Sequence, residues 1–212
     1  MRDLTFFAAV GLALTLGACA ETRVSLATGP RDYLASDYGD VLGLWTRSAS
    51  LVDFGEFDDH LTVTATYESW DFRWAYIARY ADDYRLTTLQ KEALLQEAAT
   101  DEASNHRFYI AMYGTKPRWT KLGTPGSAWV VRMIDDAGNE SEPIEIKQTP
   151  RPGALETRYF PYTTPWRSVF RVRFLKHKGD GTPVMNPSAK WIGLRFAGPE
   201  GHQDIRWLIK TP

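Results

Sequence analysis

The feature that most constrains the fold is a two-residue alternation of apolar and polar side chains along much of the chain. Leu61, Val63 and Ala65 alternate with threonines, which is typical of a strand with one buried face. Similar strand-like segments follow at 107–113, 129–134, 143–148, 170–174, 192–196 and 205–209. Together with a segment at 42–52, they predict about seven or eight short strands.

Turns that contain glycine or proline separate these segments, as at 136–139 and 198–201. Many short strands joined by such turns indicate a mainly β protein. We therefore predict an antiparallel β-sandwich, immunoglobulin-like in architecture. The chain has a single cysteine, so it lacks the disulfide pattern of true immunoglobulin domains, and its core must hold the fold without an internal disulfide.

One stretch interrupts the strand pattern with helical spacing. Four aromatic residues there are spaced four apart: Phe72, Tyr76, Tyr80 and Tyr84. This spacing predicts a helix that begins near Asp71, with an apolar arc wide enough to be covered on two sides. Residues 88–103 are strong helix formers, and Thr87 with Gln90 resembles a capping box. We therefore predict a helical pair at about 70–104, inserted between strands.

The beginning of the chain has the pattern of an export signal. The uncharged apolar run 4–16 is shorter than the roughly 20 residues that a membrane-spanning helix needs, and it suits a signal peptide. Leu16-Gly17-Ala18-Cys19 follows and resembles the lipobox of bacterial lipoproteins. The resemblance implies cleavage before Cys19, and diacylglycerol and an amide-linked acyl chain on this cysteine. Two or more acyl chains hold a protein stably at a membrane.

These patterns divide the chain into a signal peptide (1–18), a lipidated tether (19–40) and a single domain (41–212). The tether is predicted from its small and polar composition. Ala20 resembles the outer-membrane address of enterobacterial lipoproteins, in which Asp after the cysteine retains the protein at the inner membrane. We therefore expect a lipid-anchored protein of the outer membrane that faces the periplasm. The whole layout is similar to uncharacterised proteobacterial lipoproteins, a likeness that implies no activity.

The chain carries no recognised catalytic or cofactor motif. It has no GxSxG, GxGxxG or HExxH, and a lipidated Cys19 cannot serve as a nucleophile. The four histidines are not spaced as metal ligands, and the acidic group at 53–60 lacks EF-hand spacing. We therefore predict no metal and no cofactor. A formal charge of −1 gives no electrostatic footprint for nucleic acid.

The segment 158–173 combines aromatic and arginine residues and is the most distinctive candidate for recognition. The candidate partner-binding residues are Tyr159, Tyr162, Trp166 and Arg167, with Trp191 on a later strand. Aromatic rings offer a large contact area at a small cost in conformational entropy. The alternative is that the rings close one end of the sandwich while the arginines are solvated.

The expected function is that of a membrane-anchored, non-enzymatic binding or scaffolding module for an envelope protein or glycan. One alternative is an envelope hydrolase whose site is assembled from scattered carboxylates and histidines. Another is a lipoprotein that binds glycan or peptidoglycan. A pocket lined by His60, His106 or acidic residues with perturbed pKa values would favour the hydrolase. An exposed flat row of aromatic residues would favour the glycan.

Overall fold

The computed structural model describes residues 22–53, 55 and 58–210. The predicted signal peptide 1–18 and the lipidation site Cys19 lie outside the described residues. The described part is mainly β, as predicted, with two five-stranded sheets and four α-helices. None of these helices is long and apolar enough to cross a membrane.

The elements follow one another with short connections. The strands are β1 (Arg23–Val24), β2 (Thr46–Asp53), β3 (Asp58–Tyr67), β4 (Asn105–Tyr113), β5 (Val130–Asp135), β6 (Glu140–Ser141), β7 (Glu145–Thr149), β8 (Ser168–Leu175), β9 (Trp191–Gly198) and β10 (Gly201–Ile209). The helices are α1 (Tyr38–Trp45), α2 (Trp70–Asp83), α3 (Thr88–Ser104) and α4 (Ala154–Tyr159). Short 3-10 helices occupy Ala35–Asp37 and Pro117–Thr120.

The two sheets share one hydrophobic core. Sheet 1 has the strand order β1-β10-β9-β5-β6, and sheet 2 has the order β2-β3-β4-β8-β7. Only the pairing of β1 with β10 is parallel among these strands. Trp207 of sheet 1 meets Tyr67 and Phe108 of sheet 2, with ring centroids 6.1 and 5.5 Å apart. Each sheet therefore has an inner face on this core and an outer face.

The predicted helical pair is present as α2 and α3. The hydroxyl of Ser69 caps α2 by accepting a hydrogen bond from the Phe72 N–H. The predicted capping box of Thr87 and Gln90 starts α3. Helix α2 packs against both α1 and α3. Its wide apolar arc is therefore covered by parts of the same chain, although Tyr84 at its end stays exposed.

Two boundaries differ from the predictions. The strand predicted over 42–52 begins only at Thr46, because 38–45 forms α1 and buries Val41, Leu42 and Trp45 on one helical face. The predicted tether 19–40 is not free over its described part, since residues 23–40 belong to the domain. Val24 is 1% exposed in β1, and a few such anchors hold a segment whose average composition is polar and small.

Candidate functional site

A cleft of about 450 Å³ lies between α2, α3 and the outer face of sheet 2. Its apolar surface is formed by Phe72, Ile77, Leu94, Ala98 and Phe160, and its basic wall by Arg73, Arg107, Arg171 and Arg173. We call it the arginine cleft. Its volume is within the range of about 300–1,000 Å³ that is usual for small-molecule sites.

The register of two neighbouring strands brings three of the arginines together. Strands β4 and β8 are antiparallel, with Arg107 opposite Arg173 and Tyr109 opposite Arg171. Successive side chains in a strand point to opposite faces. The neighbours Phe108 and Phe174 therefore enter the core, while the arginines line the cleft on the outer face.

Charged groups of alternating sign connect the sheet to the helices. The Glu68 carboxylate, at the end of β3, accepts a hydrogen bond of 3.1 Å from Arg171 and has the Arg107 Nε at 3.0 Å. The Asp101 carboxylate of α3 accepts hydrogen bonds from Arg73 at 2.7 Å and Arg107 at 3.2 Å. This network holds the helical pair on the sheet and fixes the arginine side chains.

Arg73 occupies the most enclosed position in this network. Its side chain is 7% exposed, and its Nε donates to the Glu68 carbonyl oxygen at 2.7 Å. Its Nη1 donates to the Ala98 carbonyl at 3.1 Å as well as to Asp101. Its Nη2 is buried and has no hydrogen-bond partner among the described residues. A buried donor without a partner costs about 1–3 kcal/mol, so this nitrogen is a donor that an acceptor could satisfy if the Arg73 side chain shifts towards the cleft.

Most charged groups of the arginine cleft are held in ion pairs, which does not suit acid–base chemistry. Four arginines and three acidic residues, Glu68, Glu97 and Asp101, line it, and two further carboxylates beside it, Glu145 and Glu156, pair with Arg173 and Arg171. Burial raises the pKa of Asp101, but the charges of Arg73 and Arg107 outweigh this effect and lower it below the ordinary value. Asp101 is therefore ionised at neutral pH and is engaged by two arginines, which is the opposite of what a general acid requires.

A tyrosine hydroxyl completes the polar surface of the arginine cleft. Burial raises the pKa of Tyr76 to about 12, so this hydroxyl stays protonated and neutral at neutral pH. It can donate a hydrogen bond to a ligand without adding charge.

The predicted recognition segment lies over the outer face of sheet 2, and its four candidates differ in exposure. Tyr159 is 2% exposed, and its hydroxyl donates to Asp83 at 3.0 Å. Tyr162 is half-buried, with its hydroxyl hydrogen-bonded to Thr66. Arg167 donates to the Thr64 hydroxyl at 2.8 Å, whereas Trp166 is 78% exposed. Two of the three rings thus pack into the fold, and Trp166 is the only one of the four side chains that is mostly exposed.

The fifth candidate, Trp191, is separated from the other four. It lies on the outer face of sheet 1, where the Arg206 guanidinium sits 4.3 Å from its ring centroid. The structure therefore does not bring Trp191 and Trp166 into one site.

The arginine cleft was missed by the sequence interpretation because its members are far apart along the chain. Glu68, Asp101 and Arg171 come from a strand end, a helix and a later strand. The alternation of apolar and polar residues shows which residues share a strand face. The pairing of β4 with β8, which the sequence does not reveal, determines which of them become neighbours. The one usable signal was the arginine alternation in 170–174.

The histidines lie outside the arginine cleft. His106 is buried and shares a hydrogen bond of 2.7 Å with the Tyr67 hydroxyl, and burial lowers its pKa to about 3. His60 lies 3.5 Å from Asp58 and 3.8 Å from Glu200. Over 22–53, 55 and 58–210, no group of three or more His, Cys, Asp or Glu residues could hold a metal ion.

Comparisons of the chain with protein-family models, curated proteins and solved structures found no match.

Proposed function

We propose that the protein is a lipid-anchored, non-enzymatic binding module of the bacterial envelope and that the arginine cleft is its ligand site. The observation that carries the proposal is the cleft itself, where four arginines lie beside an apolar floor and the buried Nη2 of Arg73 has no hydrogen-bond partner among the described residues. The matching ligand is an amphipathic anion, such as a long-chain carboxylate. Its charged group would accept from Arg73, and its apolar part would cover Phe72 and Leu94.

Both the basic wall and the apolar surface of the cleft would contribute to the binding free energy of such a ligand. Hydrogen bonds that involve a charged partner contribute about 1.5–3 kcal/mol. Each buried methylene adds about 0.8 kcal/mol. The arginine side chains are already held by Glu68 and Asp101, so binding costs little further side-chain entropy.

The hydrolase and the glycan-binding alternatives have less support from the site. A hydrolase needs a nucleophile or a base with a tuned pKa, but two of the three cleft acids, Glu68 and Asp101, are paired with arginines. No histidine lines the arginine cleft within the described part of the chain. A flat glycan platform would need neighbouring exposed rings, whereas Trp166 lies in the loop before β8 of sheet 2 and Trp191 lies on sheet 1.

The anchor and the finer architecture belong to the same proposal. The lipobox resemblance supports lipid on Cys19, and Ala20 supports an outer-membrane location facing the periplasm. The shared core of the two sheets supports a β-sandwich that is immunoglobulin-like only in its layering.

Fluorescence titration with cis-parinaric acid, a fluorescent long-chain carboxylate, tests the ligand site. We expect saturable binding to the purified protein and at least tenfold weaker binding of the uncharged methyl ester, because the charged hydrogen bond is lost. Arg73→Lys should weaken binding of the acid about tenfold, since an ammonium cannot reproduce the guanidinium geometry. Arg79→Lys is the matched control, because Arg79 lies on the same helix but pairs with Asp83 outside the cleft.

A second pair of variants tests the volume of the cleft. Ala98→Leu places a larger side chain into the cleft and should reduce binding, whereas Ala103→Leu on the exposed side of α3 should not. Absence of saturable binding, or equal affinity in Arg73→Lys, Ala98→Leu and the unmodified protein, would contradict the proposed site.

A further inference from the structure

The first described strand places a basic residue beside an apolar and an aromatic one. Arg23 of β1 is opposite Leu208, and Leu208 is opposite Trp191. Val24 is buried in the core, so Arg23 points to the outer face of sheet 1. Because neighbouring strands lie about 4.8 Å apart, these three residues form a row about 10 Å long.

Further basic groups surround this row. Arg206, whose side chain is 49% exposed, lies over the Trp191 ring, and Lys190 and Lys210 are exposed at the adjoining strand ends. The neighbouring carboxylate of Asp204 accepts hydrogen bonds from both Arg195 and Arg206. We call this surface the Trp191 patch; its members are Arg23, Lys190, Trp191, Arg206, Leu208 and Lys210.

The composition of the Trp191 patch suits a membrane surface. Arginine and lysine can bury their alkyl stems while their charges stay in water. Tryptophan prefers the interface between water and hydrocarbon. Basic residues near a membrane are attracted by anionic lipid headgroups.

The short stretch of chain between Cys19 and β1 indicates what lies against the Trp191 patch. Only four Cα–Cα steps separate Cys19 from Arg23, so they are at most about 14 Å apart. A lipid on Cys19 would therefore hold the edge of sheet 1 close to the headgroups. Residues 23–40 do not act as a flexible tether, because they belong to the domain.

We infer that the Trp191 patch rests on the anionic phospholipid surface into which the lipid on Cys19 inserts. The inference rests on the proposed lipid anchor. It makes the outer face of sheet 1 the membrane-facing side of the protein. The outer face of sheet 2, which carries the arginine cleft, then points away from the membrane and remains open to ligand.

Tryptophan quenching in vesicles tests this orientation. The mature, lipidated protein is reconstituted into phosphatidylcholine vesicles that contain phosphatidylglycerol and a lipid with a spin label on its headgroup. We expect the label to quench a fraction of the fluorescence, and this fraction should fall at least threefold in Trp191→Phe. Trp166→Phe is the matched control, because Trp166 is exposed over the outer face of sheet 2; it should retain the quenched fraction.

The lipid composition provides a second readout. Quenching of the unmodified protein should be at least twofold weaker in vesicles of phosphatidylcholine alone. Equal quenching in both kinds of vesicle, or an unchanged quenched fraction in Trp191→Phe of a lipidated protein, would overturn the orientation while leaving the anchor intact. A mature protein whose mass shows no lipid would overturn the anchor, and this inference with it. The binding of cis-parinaric acid by the arginine cleft is measured separately and does not depend on either result.

Discussion

Replacing Arg73 by methionine tests the network that builds the arginine cleft. The substitution removes hydrogen bonds of 2.7 and 3.1 Å to the carbonyls of Glu68 and Ala98, and the 2.7 Å contact with Asp101. Breaking one side of a buried ion pair costs about 3–5 kcal/mol. Here Asp101 is 22% exposed and keeps Arg107 at 3.2 Å, which offsets part of the loss.

The buried Nη2, which finds no hydrogen-bond partner in the part of the chain that the structure describes, also destabilises the native protein, and its removal recovers about 1 kcal/mol or more. The net expectation is that Arg73→Met lowers the free energy of unfolding by about 2–4 kcal/mol. Urea unfolding followed by circular dichroism measures it. Arg79→Met, on the same helix but outside the network, should change the midpoint much less.

The double variant Arg73→Met/Asp101→Asn completes the test. Because the two side chains interact directly, the double variant should be more stable than the sum of the single effects predicts. A loss below about 0.5 kcal/mol in Arg73→Met would refute the reasoning, since a loss this small is typical of surface substitutions. Strictly additive effects would refute the coupling between Arg73 and Asp101.

Three further outcomes are expected. Because burial lowers the pKa of His106 to about 3, the unfolded chain binds a proton that the native protein does not. The free energy of unfolding should therefore fall as the pH decreases from about 6.5 towards 3, and His106→Gln should flatten this dependence in urea titrations. Glu102→Gln leaves Lys176, 18% exposed, without its carboxylate; it should cost about 3 kcal/mol in urea unfolding, and Lys176→Met should recover part of the loss in the double variant. Cys19→Ser should abolish incorporation of radioactive palmitate in cells.

Each of these has a result that would contradict it. A stability that is independent of pH above 4 would mean that His106 is not held neutral by burial. Unchanged unfolding of Glu102→Gln would remove the energetic role assigned to its pair with Lys176. Palmitate label retained by Cys19→Ser would place the lipid elsewhere or remove the lipobox assignment.

Helices α2 and α3 and most strands could be predicted because their signals are local. The four-residue spacing of Phe72, Tyr76 and Tyr80 and the cap at Thr87 fix α2 and α3 within a few residues. Helix α1 was missed because the apolar residues at 42–45 were assigned to the strand that follows. The early segment 23–40 was missed because single anchors, such as Val24, hold it rather than a periodic apolar face.

The site could not be predicted, because it depends on register and tertiary pairing. Arg107 and Arg173 are opposite only because β4 pairs with β8 at one particular offset. Conversely, Tyr159 and Tyr162 were predicted from the sequence to bind a partner. Their hydroxyls instead find acceptors or donors in Asp83 and Thr66, which allows the rings to pack inside the fold.

Site-specific photocrosslinking tests most directly whether the arginine cleft holds an amphipathic anion. The photoreactive residue p-benzoylphenylalanine is placed at Leu94, which lines the cleft, or at Leu89, which is 77% exposed on the same helix and does not line it. The purified variants are irradiated with palmitate, and the intact mass is measured. We expect a palmitate adduct at position 94 and little or none at 89. No adduct at 94, or equal yields at both positions, would contradict the proposed ligand site.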